Sequence, residues 1–535
     1  MKPAVVRHFS VAAVLAAVML SGSPVLAQSN PEFAIRGYQV EGNTLLPQES
    51  ISLAVLPYTG PRSSFETIQQ ALEALEKAYV AAGYASVRIE IPEQDIAQGV
   101  VKLIVVEARL QKVLVEGPKF FDEANNRNSL PALIKGQVVN IDDLQRNLTQ
   151  ANESNAKQTN VTFRRAEAGA LVDAVVRVVD DNPLRVALSL DNTGNAATGE
   201  YRLGISAQYA NLFNRDHAVS AQIVSSPQKF DKVLIVGLGY HIPLYRLGHS
   251  LDFSLGYSNV DSGQLDAFNI SGSGVIVGLR YNQNLARWGE WQHKLSYALD
   301  RRAYNNSVVP NGGGASQVPN LTVHPLSLSY SGNLRSPKRD LAGSITWSRN
   351  LPGGSNASTA DFNQPGGRIG ADAAFSTWKF AASITERLDN DWSVRAAMSG
   401  QYSADLLIAA EQFGVGGADS VRGFTEREVA ADKGLRAGIE LWGPDLGPRT
   451  GVTSLHLQPL LFYDSAWVRF NQAPGSIESQ TISSVGLGVR GSNEKSFSWR
   501  LDYALVLRGA QNTAGSTTAT GKNSRHLHGS AIWAF

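Results

Sequence analysis

The residues with the most chemistry to offer lie in Phe413–Phe424, which reads FGVGGADSVRGF and carries four glycines, one arginine and no proline. Gly416 and Gly417 give the backbone freedom, and Arg422 is a lone cation held between Val421 and Gly423-Phe424. That setting makes a tight turn that presents a guanidinium. A planar guanidinium can hold a carboxylate in two parallel bonds, so the chemistry on offer is ionic recognition rather than bond cleavage. By composition alone the segment also reads as an ordinary glycine-rich surface connection. Other chemistries find no support. The chain has no GxSxG elbow and no HExxH pair. Gly515 and Gly521-Lys522-Asn523 have the wrong spacing for a phosphate loop, with Asn where Ser or Thr is needed. The nine histidines form no ligand set; His526 and His528 share one face of a last strand and read as lumen or surface residues. The expectation is no catalytic group, no metal site and no cofactor.

The elements that must position such a loop follow from composition. The chain has 535 residues, 49 glycines and no cysteine, which excludes a disulfide scaffold and Cys-ligated zinc or iron–sulfur centres. A formal net charge of +1 offers no bulk attraction for nucleic acid, and none is expected as a partner. Residues 1–27 read as a signal peptide: Lys2, Arg7 and His8 precede an apolar Val11–Leu20, and Val25-Leu26-Ala27 suits cleavage before Gln28. No later apolar run reaches the ~18 residues of a spanning helix. An exported chain without such a helix can cross a membrane only as a closed β-barrel.

Two small α/β domains come first, expected at 28–108 and 109–182. Ile35–Val40 reads as a strand ending at Glu41-Gly42-Asn43, and a short helix is expected over Pro47–Val55. Ser63 with Glu66 three residues on forms a capping box for a helix whose inner face is Ile68, Leu72, Leu75 and Tyr79, ended by Gly83. Strands over Ala85–Ile91 and Val100–Val106 complete a β-α-α-β-β order. The order then repeats. A strand over Leu110–Val115 ends at Glu116-Gly117-Pro118, and a helical region covers Phe121–Ile134. Asn140 caps a helix with Ile141, Leu144, Leu148 and Ala151 on one face, before strands over Thr159–Arg164 and Ala170–Val179.

From 183 to 535 the period changes to two. Leu251, Phe253, Leu255 and Tyr257 alternate with Asp252, Ser254, Gly256 and Ser258, and Phe497–Arg508 alternates in the same way. An apolar face carrying aromatics at strand ends, opposite a face carrying charges, is the pattern of a transmembrane barrel with a polar lumen. All nine tryptophans fall between Trp288 and Trp533, as interfacial girdles require. The fold class is therefore a membrane all-β barrel of about 16 antiparallel strands, preceded by the two α/β domains. Strand centres are expected near Leu188, Ile205, Ala221, Val236, Phe253, Val277, Ser296, Leu328, Ile345, Phe380, Ala396, Ala437, Leu460, Leu487, Tyr503 and Ser530. Short connections, as at Asn214–Asp216, alternate with long ones, as at 305–320 and 351–371. Residues 412–432, with the glycine-rich run, form the sixth loop on the long-loop, extracellular side.

Val421–Phe424 resembles the VRGF/VRGY loop motif of the BamA-like superfamily of outer-membrane barrels. The whole FGVGGADSVRGF run resembles the transporters of two-partner secretion, the ShlB/FhaC/HecB hemolysin secretion/activation family. The tandem modules resemble the POTRA domains of that superfamily. Phe462-Tyr463-Asp464-Ser465-Ala466 resembles the family's F-x-D-x-G/S motif, with Ala in the last place. The resemblance implies that Arg422 pairs with Asp464 on the inner wall, in a loop shaped by Gly416, Gly417, Val421, Gly423 and Phe424. Without it, Asp464 is simply a carboxylate solvating the lumen. The resemblance further implies an outer-membrane pore of a Gram-negative cell, with its modules in the periplasm, that secretes an unfolded exoprotein such as a hemolysin or adhesin. Cargo would add as a strand at module edges near Ser86, Arg88 and Glu90 and near Val161 and Phe163. Outer-membrane lipid is the other partner. The last strand, with Trp533 and a final Phe535, resembles the insertion signal read by the barrel-assembly machinery. Well-known members carry an N-terminal plug helix, for which 28–32 leave no room, so the sixth loop is expected to limit leakage. A BamA-type insertase is the alternative, though insertases usually carry more modules. A plain porin does not need folded modules.

Overall fold

The computed structural model describes residues 32–535 apart from Ala97, 167–170, 197, 261–262, 266–267, 271–272, 306–317, 453, 474, 476, 494–495 and 512–518. The expected signal peptide and its cleavage before Gln28 lie outside the described residues. The chain divides into two compact units, 1–108 and 109–535.

In the first unit β2 (Gly37–Glu41) pairs in parallel with β5 (Val100–Val106), and β5 pairs antiparallel with β4 (Arg88–Glu90). A separate pair joins β1 (Phe33–Ile35) to β3 (Gly60–Ser63), and α1 (Gln48–Val55) and α2 (Phe65–Ala81) complete the module. Alternate residues Val101, Leu103 and Val105 of β5 are buried, as one face of a sheet requires. Three expectations are corrected. The capping box is Ser64 with Thr67, whose Oγ1 accepts from the Ser64 N–H at 3.2 Å, because Ser63 is already paired with Phe33 in the small sheet. The buried face of α2 is Ile68, Ala71, Leu75 and Tyr79; Leu72 is only half-buried, one step round the helix from it. The strand expected over Ala85–Ile91 shrinks to β4, with Ser86 ahead of it.

The second module repeats the order with β6 (Arg109–Glu116), α3 (Glu123–Asn128), α4 (Ile141–Ala151), β7 (Lys157–Arg165) and β8 (Leu171–Asp180), its sheet running β6-β8-β7. The helix expected over Phe121–Ile134 is only α3, because Pro131 disfavours a helical Leu130 and has no N–H to continue the ladder. Asn140 caps α4 by accepting from the N–H groups of Asp142 and Asp143 at 3.0 and 3.1 Å. The repeated Glu-Gly signature has a steric cause. Gly42 and Gly117 leave their strands at φ of +83° and +92°, where an added Cβ would lie 2.4 Å from the Val105 carbonyl oxygen and 2.5 Å from that of Val178.

The rest is a closed antiparallel barrel of sixteen wall strands. In order they are Leu184–Asp191, Arg202–Leu212, His217–Ser225, Leu234–Leu244, His249–Ser258, Gly274–Asn284, Gln292–Tyr304, Pro325–Arg335, Arg339–Asn350, Ser376–Arg387, Ser393–Tyr402, Lys433–Trp442, Leu455–Arg469, Ser479–Asn493, Phe497–Arg508 and Arg525–Ala534. Every expected centre falls inside one of them. Phe253, Leu255, Tyr257, Leu501, Tyr503 and Leu507 are exposed on the outer face. No described helix is long and apolar enough to cross a membrane; the strands cross it. Trp347, Trp378 and Trp467 sit toward the long-loop end of the wall, and Trp392, Trp499 and Trp533 toward the other. Trp442 departs from the girdle pattern: its indole N–H donates to lumen-facing Glu440 at 2.9 Å. The barrel closes where the sixteenth strand meets the first, with only Ser530–Ala534 in register against Ala187–Asp191.

Candidate functional site: a loop tip bound inside the barrel

The connection between the eleventh and twelfth wall strands, 403–432, is the sixth on the long-loop side, and its tip reaches the inner wall. A small hairpin of Phe413–Val415 against Val429–Ala431 forms its stem. Val415, Val421, Phe424 and Val429 pack with Ala466, Val468, Ile482 and Val506 of the wall. Dehydrating these side chains holds the loop against the barrel interior.

At the tip the Arg422 Nε donates to Asp464 Oδ2 at 2.7 Å and its Nη2 to Oδ1 at 2.9 Å. The Arg422 backbone N–H adds a third bond to the same carboxylate at 3.2 Å. Only 6% of the arginine side chain and 4% of the aspartate side chain is exposed, so this is a buried pair rather than a wet one. The Phe462 ring lies 3.5 Å from the guanidinium carbon, a cation–π contact made by the residue two before Asp464 on the same face. Burial pulls the Arg422 pKa down, but the hydrogen bond and charge of Asp464, with Glu440 and Asp502, outweigh it and hold the group above its ordinary value.

Several partners were not legible beforehand. Glu440 meets Arg422 Nη1 at 2.9 Å, and Asp502 stands 3.7 Å from the same nitrogen. Asp502 is also held in a fork by Arg490 at 2.8 and 3.0 Å. The alternation of Phe497–Arg508 places Asp502 on the lumen face, yet only the barrel's closure brings the fifteenth strand to a loop beside the twelfth. His528 of the sixteenth strand accepts the Gly423 N–H on Nε2 at 2.9 Å. Gly423 has φ +96°, and a Cβ there would crowd Val506 Cγ2 at 3.1 Å. Gly416 and Gly417 also have positive φ, and the Glu426 carboxylate lies over Gly417 while accepting from the Ala418 N–H at 2.8 Å. Burial pushes the Glu426 carboxyl up to about 7. Asp419 pairs with Arg500, and its carbonyl accepts from Arg436 at 2.7 Å.

The loop stem is fastened as well. Asp432, fully buried, accepts from the N–H groups of Leu407 and Asn471 at 2.9 and 2.8 Å and pairs with Arg368 at 3.2 Å. Glu411 takes the Tyr304 hydroxyl at 2.7 Å and Arg302 at 3.1 Å.

A second buried polar centre docks the second module on the wall. Lys157 of β7 is fully buried; its Nζ reaches Asp216 Oδ2 at 2.7 Å and Asn125 Oδ1 at 3.0 Å. Asp216, in the first turn on the short-turn side, also accepts from Asn125 Nδ2 at 2.9 Å and from the Tyr245 hydroxyl at 2.5 Å. Burial lowers the Lys157 pKa, against the opposing pull of Asp216. Asn147 and Gln150 of α4 donate to the backbone carbonyls of Tyr245 and His249. This explains why the buried face of α4 includes Asn147 and Gln150, where Ile141 and Leu148 are only partly covered.

Ser86, Arg88, Glu90, Val161 and Phe163 lie on β4 and β7 or just before β4. Both strands end their sheets, with no further pairing among the described residues. Trp533 packs against Phe497 with ring centres 4.4 Å apart and the planes tilted by 31°, and Phe535 is exposed while its N–H donates to the Val186 carbonyl at 2.8 Å.

A closed barrel of sixteen strands, POTRA-type modules before it and a loop tip locked inside it define an outer-membrane transporter of the secretion type. The profile of the haemolysin secretion/activation protein ShlB/FhaC/HecB matches residues 173–491, more than half of the chain, and that of the ShlB-type POTRA domain matches 33–108. The chain belongs to the ShlB/FhaC/HecB family. Its relatives include the outer membrane transporter CdiB of Dickeya dadantii strain 3937, 25% identical over 76% of this chain and 72% of that one. The heme/hemopexin transporter protein HuxB of Haemophilus influenzae is 20% identical over 92% of this chain and 87% of its own. Among solved structures, CdiB from Escherichia coli superposes with a TM-score of 0.75 at 17% identity, covering 96% and 93% of the two chains. The protein is thus a two-partner secretion transporter of the outer membrane, and the insertase alternative gives way to the family assignment.

Proposed function

We propose that this transporter passes an unfolded exoprotein, of the hemolysin or adhesin kind, from the periplasm to the cell surface, with the sixth loop as its gate. The observation that carries the gate is the buried fork between Arg422 and Asp464, which closes the loop onto the inner wall. A bond of that geometry keeps the tip in one place, and its release loosens the tip while Asp432 and Glu411 still hold the stem. As the family resemblance implies, export is driven by folding of the cargo outside. Cargo enters by strand addition, because β4 and β7 offer sheet edges whose backbone groups meet no further strand among the described residues. Arg88 and Glu90 point outward there, and Phe163 is exposed on β7. The barrel-assembly machinery reads the strand ending in Phe535, and the outer aromatics meet lipid.

The test is export itself. Cells carrying the transporter with its exoprotein should release that exoprotein into the medium, and photo-crosslinking residues at Arg88 or Phe163 should capture it in transit. Loss of other outer-membrane proteins on deletion, with exoprotein release unchanged, would instead indicate an insertase.

A further inference from the structure

Below the bound loop tip the lumen holds a cavity of about 1350 Å³, reaching from Arg422 to α4 of the second module. Nine Arg and Lys residues line it against five Asp and Glu, in a chain whose total charge is only +1. The imbalance is concentrated at the mouth nearest α4. Three arginines there have no ion pair among the described residues: Arg287 in the turn after the sixth strand, Arg335 at the end of the eighth and Arg395 near the start of the eleventh. By contrast, Arg422 and Arg490 each hold a carboxylate, and Arg500 holds Asp419. The opposing charges at this mouth are Asp142, at the start of α4, and Glu153, whose carboxyl burial pushes up toward the neutral form while His241 and Lys294 oppose it; Glu440 and Asp340 stand across the sheet from Arg395 and Arg335 but are held by Arg422 and Arg387.

Unpaired arginines on the wall of a water-filled cavity have a consequence. The low-dielectric wall focuses their field along the axis, raising the local concentration of anions and lowering that of cations. Rings of Arg and Lys are how pores prefer anions. Guanidinium groups left without a partner are also ready to fork onto the carboxylates of a passing chain.

We propose that this mouth is a binding site for carboxylate-rich extended chain, and that it makes the lumen anion-selective. The proposal stands on the charge of the cavity and does not need the gate or the exoprotein assignment above.

The full-length protein in a planar bilayer under a potassium chloride gradient should give a reversal potential on the chloride side. Poly-aspartate added from the module side should reduce the current, and poly-lysine should not. In detergent, fluorescent poly-aspartate should bind the same protein, a readout that survives even where the loop holds the pore shut. Combining Arg287→Gln, Arg335→Gln and Arg395→Gln should abolish both the chloride preference and poly-aspartate binding. Asp142→Asn should strengthen both, and because that side chain is exposed it leaves the fold in place. A wild-type pore that prefers potassium, or poly-aspartate binding that the triple substitution leaves unchanged, overturns the proposal.

Discussion

Arg422→Ala should release the sixth loop, and the structure sets the size of the effect. Removing the guanidinium strips Asp464 of its only ion pair among the described residues, whereas Asp502 keeps Arg490 and Glu440 keeps the Trp442 indole N–H. One buried carboxylate is then left uncompensated, a loss of ~3–5 kcal/mol that raises the population of open loop on the order of 10²–10⁴-fold. Asp464→Ala is milder, because Arg422 retains Glu440 at 2.9 Å and Asp502 at 3.7 Å. The double variant should be no worse than Arg422→Ala alone, since neither charge remains to be stranded, and a coupling of ~0.5–3 kcal/mol is expected. A charge swap, Arg422→Asp with Asp464→Arg, should fail to rescue, because an aspartate at the tip would face Glu440 and Asp502. Arg422→Lys should not rescue either: an ammonium cannot hold both Asp464 oxygens and Glu440 in the fork geometry. The chain has no cysteine, so Val421→Cys in every background gives a single reporter, fully buried while the loop is closed. Its labelling rate by an external thiol reagent measures opening. Equal labelling in Arg422→Ala and its parent, or effects of the two alanines that simply add, would refute the tether.

Leu75→Asp buries an unpaired charge in the first module and should unfold it, abolishing export while conductance and heat-modifiability of the barrel remain; Leu72→Asp, at a half-buried site, should be far milder. Lys157→Met removes the buried cation from Asp216 and should make residues 109–182 sensitive to added protease in an intact barrel, at a loss of ~3–5 kcal/mol if Asp216 stays charged. Glu426 has a folded pKa raised to about 7 by burial, so its contribution to loop packing is fully present below the ordinary carboxylate range and is lost as pH rises through 7. Relative to an exposed cysteine in the same barrel, which carries the intrinsic pH dependence of the thiolate, labelling of the Val421→Cys reporter should therefore be slower at pH 5 than at pH 8, and Glu426→Gln should flatten that difference.

What the sequence determined by itself was the set of elements whose cause is local. Period-two alternation located all sixteen wall strands because each strand must show one face to lipid and the other to the lumen, whatever its neighbours are. Glu41-Gly42 and Glu116-Gly117 announced two modules because a strand exit at positive φ over a carbonyl admits only glycine cheaply. The motif wording placed Arg422 and Asp464 as partners before any distance was known. Only the tertiary structure decided that the pair is buried rather than wet, since burial depends on Phe462, Val506 and their neighbours closing round it. It also decided the remaining partners. Glu440, Asp502 and His528 come from the twelfth, fifteenth and sixteenth strands, and barrel closure is a global property that no local window contains. The docking of Lys157 on Asp216 is of the same kind: a lysine on an edge strand reads as solvated until the barrel turn that covers it is in place.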